Sequence, residues 1–140
     1  FTDWAAISDK PFYFSEVGAD SYMAVATDTF SEGTNESAQA AAVAHILDEI
    51  LAHEHECMGI TLFSFTDGWW KAGNPETQDI GGWAPNSSGV PYDGAPNEEY
   101  WGIVDINREK KEVFDAIKQR FTNTNDEWKN HFGSSFPFWL

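Results

Sequence analysis

One cysteine, Cys57, is all that the 140 residues hold, so no disulfide can form within the chain and a disulfide scaffold is excluded. Bases are scarce too, with 8 Lys and Arg against 23 Asp and Glu and a formal net charge of −15. A field of that sign repels phosphate backbones and anionic headgroups, so neither nucleic acid nor a membrane surface is an expected partner. No apolar run approaches the roughly 20 residues that span a bilayer, so no membrane insertion is expected either. There is no Gly-rich phosphate loop, no Ser-His-Asp arrangement and no internal repeat. The string His53-Glu54-His55-Glu56-Cys57 lacks the spacing that sets two imidazoles on one helix face, and no metal or other cofactor is expected from it. The chain opens on Phe1 rather than Met and has no signal-peptide pattern, so the expectation is that whatever preceded it is absent.

Aromatic residues are plentiful by contrast, with 7 Trp, 4 Tyr and 11 Phe, and a hydrophobic fraction of 41% is ample for a core. The length suits one ordinary domain or part of a larger one. Two Asn-x-Ser triplets, beginning at Asn35 and Asn86, lie in polar segments and mark both asparagines as glycosylation candidates. Together with the acidic character they lean toward an extracellular or cell-surface protein.

Periodicity and punctuation give the order of elements. Phe1 to Ile7 reads as the end of a helix, and Ser8-Asp9-Lys10-Pro11 as a turn, because proline pushes the preceding residue out of helix. Phe12 to Glu16 is short and apolar, and predicts a strand buried on both faces. Val17 to Glu36 reads as a polar loop. A helix is expected from about Ser37 to His53, with Asn35 as N-cap and Ala42, Val43, Ile46, Leu47, Ile50 and Leu51 as its apolar stripe. A second strand is expected over Gly59–Thr66, and Asp67 to Glu99 forms a loop long enough to be functional. A last helix runs from about Arg108 to Phe121, with Val113, Phe114, Ile117 and Phe121 inward, and Thr122 to Leu140 is left as an irregular aromatic tail. Alternation of this kind implies an α/β protein with a parallel sheet. Two such apolar strands expect neighbours that the chain does not supply. The pattern fits the last quarter or so of a (β/α)8 TIM barrel, spanning 1–121, followed by the tail over 122–140, which would pack on the barrel or on a partner.

Both predicted strands end on a carboxylate beside glycine, in Phe14-Ser15-Glu16-Val17-Gly18 and Phe65-Thr66-Asp67-Gly68-Trp69-Trp70. Active sites of parallel α/β folds are built at that end of the strands. Glu16 is placed there as a candidate nucleophile, because retaining glycosidases use two carboxyl groups about 5–5.5 Å apart. Trp69, Trp70 and, further along the loop, Trp83 offer indole faces on which the C–H-rich side of a sugar packs. Asp67 is a candidate for hydrogen bonds to sugar hydroxyls or for orienting a neighbour, and Lys71 for pairing with Asp67 or Glu98. The partner expected from these residues is carbohydrate.

In these stretches, and in Asn97-Glu98-Glu99-Tyr100-Trp101-Gly102-Ile103-Val104-Asp105, the chain resembles the C-terminal part of a clan A glycoside hydrolase barrel. It is similar to the family 2 TIM-barrel proteins and, more distantly, to the β-glucan-active family 17 enzymes, over about residues 4 to 121. The resemblance implies strand seven, helix seven, strand eight, a long loop and helix eight. It implies Glu16 as the catalytic nucleophile and Asp67, Trp69 and Trp70 as substrate-binding residues. The clan's acid/base Glu ends strand four, which would precede Phe1. The remainder of the barrel is therefore expected from a preceding segment or another chain, and this chain alone is expected not to turn over substrate. The expected function is a retaining hydrolase or transglycosylase of β-glucan-like carbohydrate, with a catalytically silent carbohydrate-binding or structural module as the alternative.

Overall fold

The computed structural model describes residues 1–23, 26–72, 76–78 and 97–132. In chain order its elements are α1 (Thr2–Ala5), β1 (Phe12–Val17), β2 (Tyr22–Met23), β3 (Gly33–Thr34), α2 (Glu36–Leu51), β4 (Cys57–Leu62) and α3 (Glu112–Phe132). Short 3₁₀ turns occupy Trp69–Ala72 and Glu98–Tyr100. Strands β1 and β4 pair in parallel, and α2 makes the crossover that a parallel pair requires. Strands β2 and β3 form a small antiparallel pair inside the segment expected to be a plain loop.

Helix α2 starts where the sequence predicts. The Asn35 Oδ1 accepts the Ala38 N–H at 3.0 Å and the Ser37 hydroxyl at 2.8 Å, satisfying one of the orphan donors of the first turn. Val43, Leu47 and Ile50 follow at helical spacing and are buried, with Ala38 and Gln39 a turn earlier. Ala42 lies one position off that stripe and faces solvent. The helix stops at Leu51 rather than His53, and the following turn stacks His53 flat on Phe1, 4.0 Å between ring centroids.

Val43 and Leu47 meet Val113 and Ile117 of α3 in the core, and Ile60, Leu62 and Ile103 pack against them from the sheet side. Arg120 clamps Asp48 across the two helices through two bonds of 2.7 Å, and the Glu36 carboxylate accepts the Glu112 N–H at the start of α3. Helix α3 continues to Phe132, where a tail was expected from Thr122. Asn and Thr after Phe121 are weak helix formers but not breakers, and no glycine or proline occurs between Glu112 and Gly133. Phe121, expected inward, is 36% exposed.

The strands differ from expectation in one respect that matters for the site. The helices cover one face of the two-stranded sheet, and the other is open: Tyr13 is 53% and Met58 72% exposed. After β4 the chain turns through a cis Phe63–Ser64 peptide and runs beside 101–104, with Thr66 bridged in parallel to Val104. The predicted second strand over Gly59–Thr66 is thus β4, shifted toward Cys57, plus this bridge.

Candidate functional site

Strict alternation along β1 would put Glu16 on the face of Phe12 and Phe14, toward the helices. The register prevents it. Phe12 faces Cys57, Phe14 faces Ile60 and Val17 faces Leu62. Between Phe14 and Val17, β1 uses one more residue than β4, so Ser15 and Glu16 together oppose Thr61, as in a bulge. Phe14 and Val17 are thereby both half-buried, while Ser15, Glu16 and Thr61 are all exposed. An irregularity of the opposite sense, Met58 and Gly59 against Tyr13, restores the overall register. Glu16 also borders a cleft of about 620 Å³ between β1 and α2, walled by Phe14, Ile46, Ile50 and Trp101, with Glu49 and His45 among its lining.

The end of β4 carries an aromatic cluster. The Phe63 ring meets Trp101 edge-on at 5.7 Å, and the Lys71 ammonium lies 5.1 Å from the Phe63 ring centre. Of the two carboxylates the sequence offered to Lys71, it takes Glu98, at 3.5 Å. Trp70 is 55% exposed and packs over Gly68. Trp69 is half-buried, and its indole N–H is buried without a hydrogen-bond partner among the described residues. Trp70 therefore presents a free aromatic face, and Trp69 serves mainly as packing.

Asp67 is turned inward. It is 3% exposed, and its Oδ1 accepts the Lys111 ammonium at 2.6 Å and the Gly102 N–H at 2.8 Å. Burial pushes its carboxyl above the ordinary range, against the lowering pull of Lys111. As placed, this oxygen holds protein groups instead of reaching toward a sugar. Lys111, 5% exposed, donates further to Ser21 Oγ and to the Tyr100 carbonyl, each at 3.1 Å. Gln39 completes the buried polar layer by donating to the Ala19 and Gly102 carbonyls, both at 3.0 Å.

Two glycines make these approaches possible. A Cβ on Gly18 would collide with the Phe63 carbonyl, and one on Gly102 with the Asp67 amide and the Val104 carbonyl. Neither position can accept a side chain without moving backbone.

The structure thus gathers Glu16, Asp67, Trp69 and Trp70 at the same end of the strand pair, while Trp83 and Asn86 lie outside the described residues. Asn35 doubles as helix cap and sequon. Sequence reasoning missed Lys111, Ser21 and the cleft-lining Trp101. In Arg108-Glu109-Lys110-Lys111 nothing marks which lysine is buried, except that Lys111 is two residues before the fully buried Val113. Among the described residues, no group of three His, Cys, Asp or Glu side chains is placed to hold a metal ion.

No protein-family profile matches the chain, and no curated protein does. Solved structures do share its fold. A GH2 beta-galacturonidase from Eisenbergiella tayi bound to galacturonate aligns over 87% of this chain with 21% identity and a TM-score of 0.55. A GH2 beta-galacturonidase from the same organism, bound to glycerol, aligns over 95% with 20% identity and a TM-score of 0.52. Bifidobacterium dentium beta-glucuronidase complexed with coumarin-3-O-glucuronide aligns over 86% with 22% identity and a TM-score of 0.52. The chain spans only 19%, 19% and 16% of those proteins. At such identity the likeness is one of fold.

Proposed function

We propose that this chain is the nucleophile-bearing, C-terminal part of a (β/α)8-barrel glycoside hydrolase or transglycosylase that acts with retention on a β-glucan-like carbohydrate. The observation that carries the reading is Glu16, exposed at the C-terminal end of β1 and on the rim of the cleft there. The open sheet face and the edge of β1 that, among the described residues, pairs with no strand support the barrel, since a parallel sheet is normally covered on both sides. The fold shared with two GH2 beta-galacturonidase structures and a beta-glucuronidase supports the chemistry.

In this reading a Glu16 carboxylate oxygen attacks the anomeric carbon while a carboxylic acid, supplied by another segment, protonates the departing glycosidic oxygen. The same group then takes a proton from water or an acceptor hydroxyl, whose oxygen displaces Glu16 and restores the starting configuration. Trp70 stacks on the sugar, Trp69 backs it, Trp83 lines a further subsite, and Asp67 orients the segment that carries the pair. Of the cations beside this end of β4, Lys71 and Lys111 are held by Glu98 and Asp67, and Arg108 lies over the Phe65 ring. The setting is extracellular or cell-surface, with glycans on Asn35 and Asn86. Asn35 caps α2 through Oδ1, which keeps its Nδ2 for attachment.

The test is a 2-fluoro-glycoside inactivator applied to the full protein, followed by peptide mass spectrometry, with Glu16→Gln alongside. Label on the peptide containing Glu16, and loss of turnover with sugar binding retained in the variant, are expected. Label elsewhere, or turnover unchanged in Glu16→Gln, sinks the assignment. Sugar binding without any turnover by the unaltered protein would point instead to the silent carbohydrate-binding module.

A further inference from the structure

We infer that Lys111 is a positioning residue that fixes the segment following the Glu16 strand against the segment carrying Trp69 and Trp70. The inference rests on the glycosidase reading only for what those two segments do. An ammonium group has three N–H donors, and all of those of Lys111 are directed at different stretches of chain. One goes to Asp67 Oδ1 after β4, one to Ser21 Oγ after β1, and one to the Tyr100 carbonyl in the second 3₁₀ turn. These stretches also interlock. The Ser21 N–H and hydroxyl both donate to the Tyr100 carbonyl, at 3.0 and 3.2 Å, and the Gly102 N–H donates to the same Asp67 oxygen that Lys111 holds.

Neutralising Asp67 would need one of these three bonds. The other two add nothing to charge balance and act through direction. A buried ion pair is also a weak source of stability, because the loss of hydration offsets the attraction. What a compact cation with three donors supplies at this point is a fixed distance between Ser21, five residues past the nucleophile, and Asp67, two residues before Trp69.

The experiment separates positioning from simple charge compensation in the full protein. It compares Lys111→Met with the double variant Asp67→Asn/Lys111→Met, which removes both charges. Unfolding midpoint, near-UV circular dichroism of the tryptophans, and kcat and KM on a β-glucoside are followed for each. Lys111→Met is expected to lower the midpoint, and the double variant to regain most of it. Both variants are expected to keep an altered near-UV spectrum and a kcat/KM reduced roughly 10- to 100-fold, because the two segments are no longer tied. A double variant that regains the unaltered protein's spectrum and kcat/KM along with its midpoint would overturn the inference. Should the unaltered protein show no turnover, the glycosidase reading fails by itself. The near-UV spectrum then decides: persistent change in the double variant supports positioning, and full recovery overturns it.

Discussion

Two ion pairs of similar chemistry sit in opposite surroundings. Arg120 holds Asp48 across α2 and α3 in the open, and Lys111 holds Asp67 among the loops at the strand ends with both partners nearly sealed from water. The guanidinium keeps the Asp48 carboxyl below its usual range, and the Arg120 value rises in return. At Asp67 burial outweighs the attraction and pushes the carboxyl up. The apolar side of the molecule is therefore held by packing, with its ion pair as an accessory. The strand-end side is held by polar bonds that cannot be lost singly.

Several measurements can break or sharpen that contrast. The largest effect is expected from Lys111→Met, which strands a buried carboxylate and should cost about 3–5 kcal/mol in urea unfolding. Leu47→Ala, the matching lesion on the apolar side, should cost about 3 kcal/mol through lost burial and a residual cavity. A loss at Leu47 far above that at Lys111 would invert the comparison. Asn35→Ala removes the cap of α2 and should cost about 1 kcal/mol by the same assay.

A pH series distinguishes the two carboxylates by sign. The folded chain binds the Asp67 proton at higher pH than the unfolded chain does. The stability contribution of this site therefore falls as pH rises from the ordinary carboxylate range to the raised value, and is flat above it. Asp48 behaves oppositely: its contribution is complete above the ordinary range and disappears as pH falls through the lowered value. Asp67→Asn should abolish the first slope, measured as denaturation midpoints over about pH 3 to 7, while the second is small because Asp48 is exposed. Smallest of all, Arg120→Met at physiological salt should leave the midpoint unresolved from the unaltered protein, since an exposed pair is screened and entropically costly.

The features legible in the sequence were local ones. Asn35 announced its helix because a cap is a matter of three or four consecutive residues. Val43, Leu47 and Ile50 announced the buried face because helical periodicity is written along one segment. The alternation of strand and helix gave the parallel pair for the same reason. Features decided between segments were not legible. Lys71 had two candidate partners in the sequence, and only the fold selected Glu98. Lys111 could not be told from Lys110, since its acceptors are contributed from positions 21, 67 and 100. The continuation of α3 past Phe121 was hidden by Asn and Thr residues whose individual reluctance is outweighed by the absence of any breaker. Exposure of Tyr13 and Met58 could not be read either, because apolar strand residues do not state whether anything covers them.

The extra residue in β1 makes the direction of Glu16 a question of counting. Side-chain chemistry alone would put this acid in phase with Phe12 and Phe14, under the helices. Regular pairing at the present length would set Glu16 in phase with Phe14 and leave Val17 out of phase, whereas removing Ser15 would set the acid directly after Phe14, opposite Thr61, in regular register. A homologous chain one residue shorter at this point would therefore keep its acid opposite the same β4 residue, and a difference in length there is compatible with an unchanged orientation.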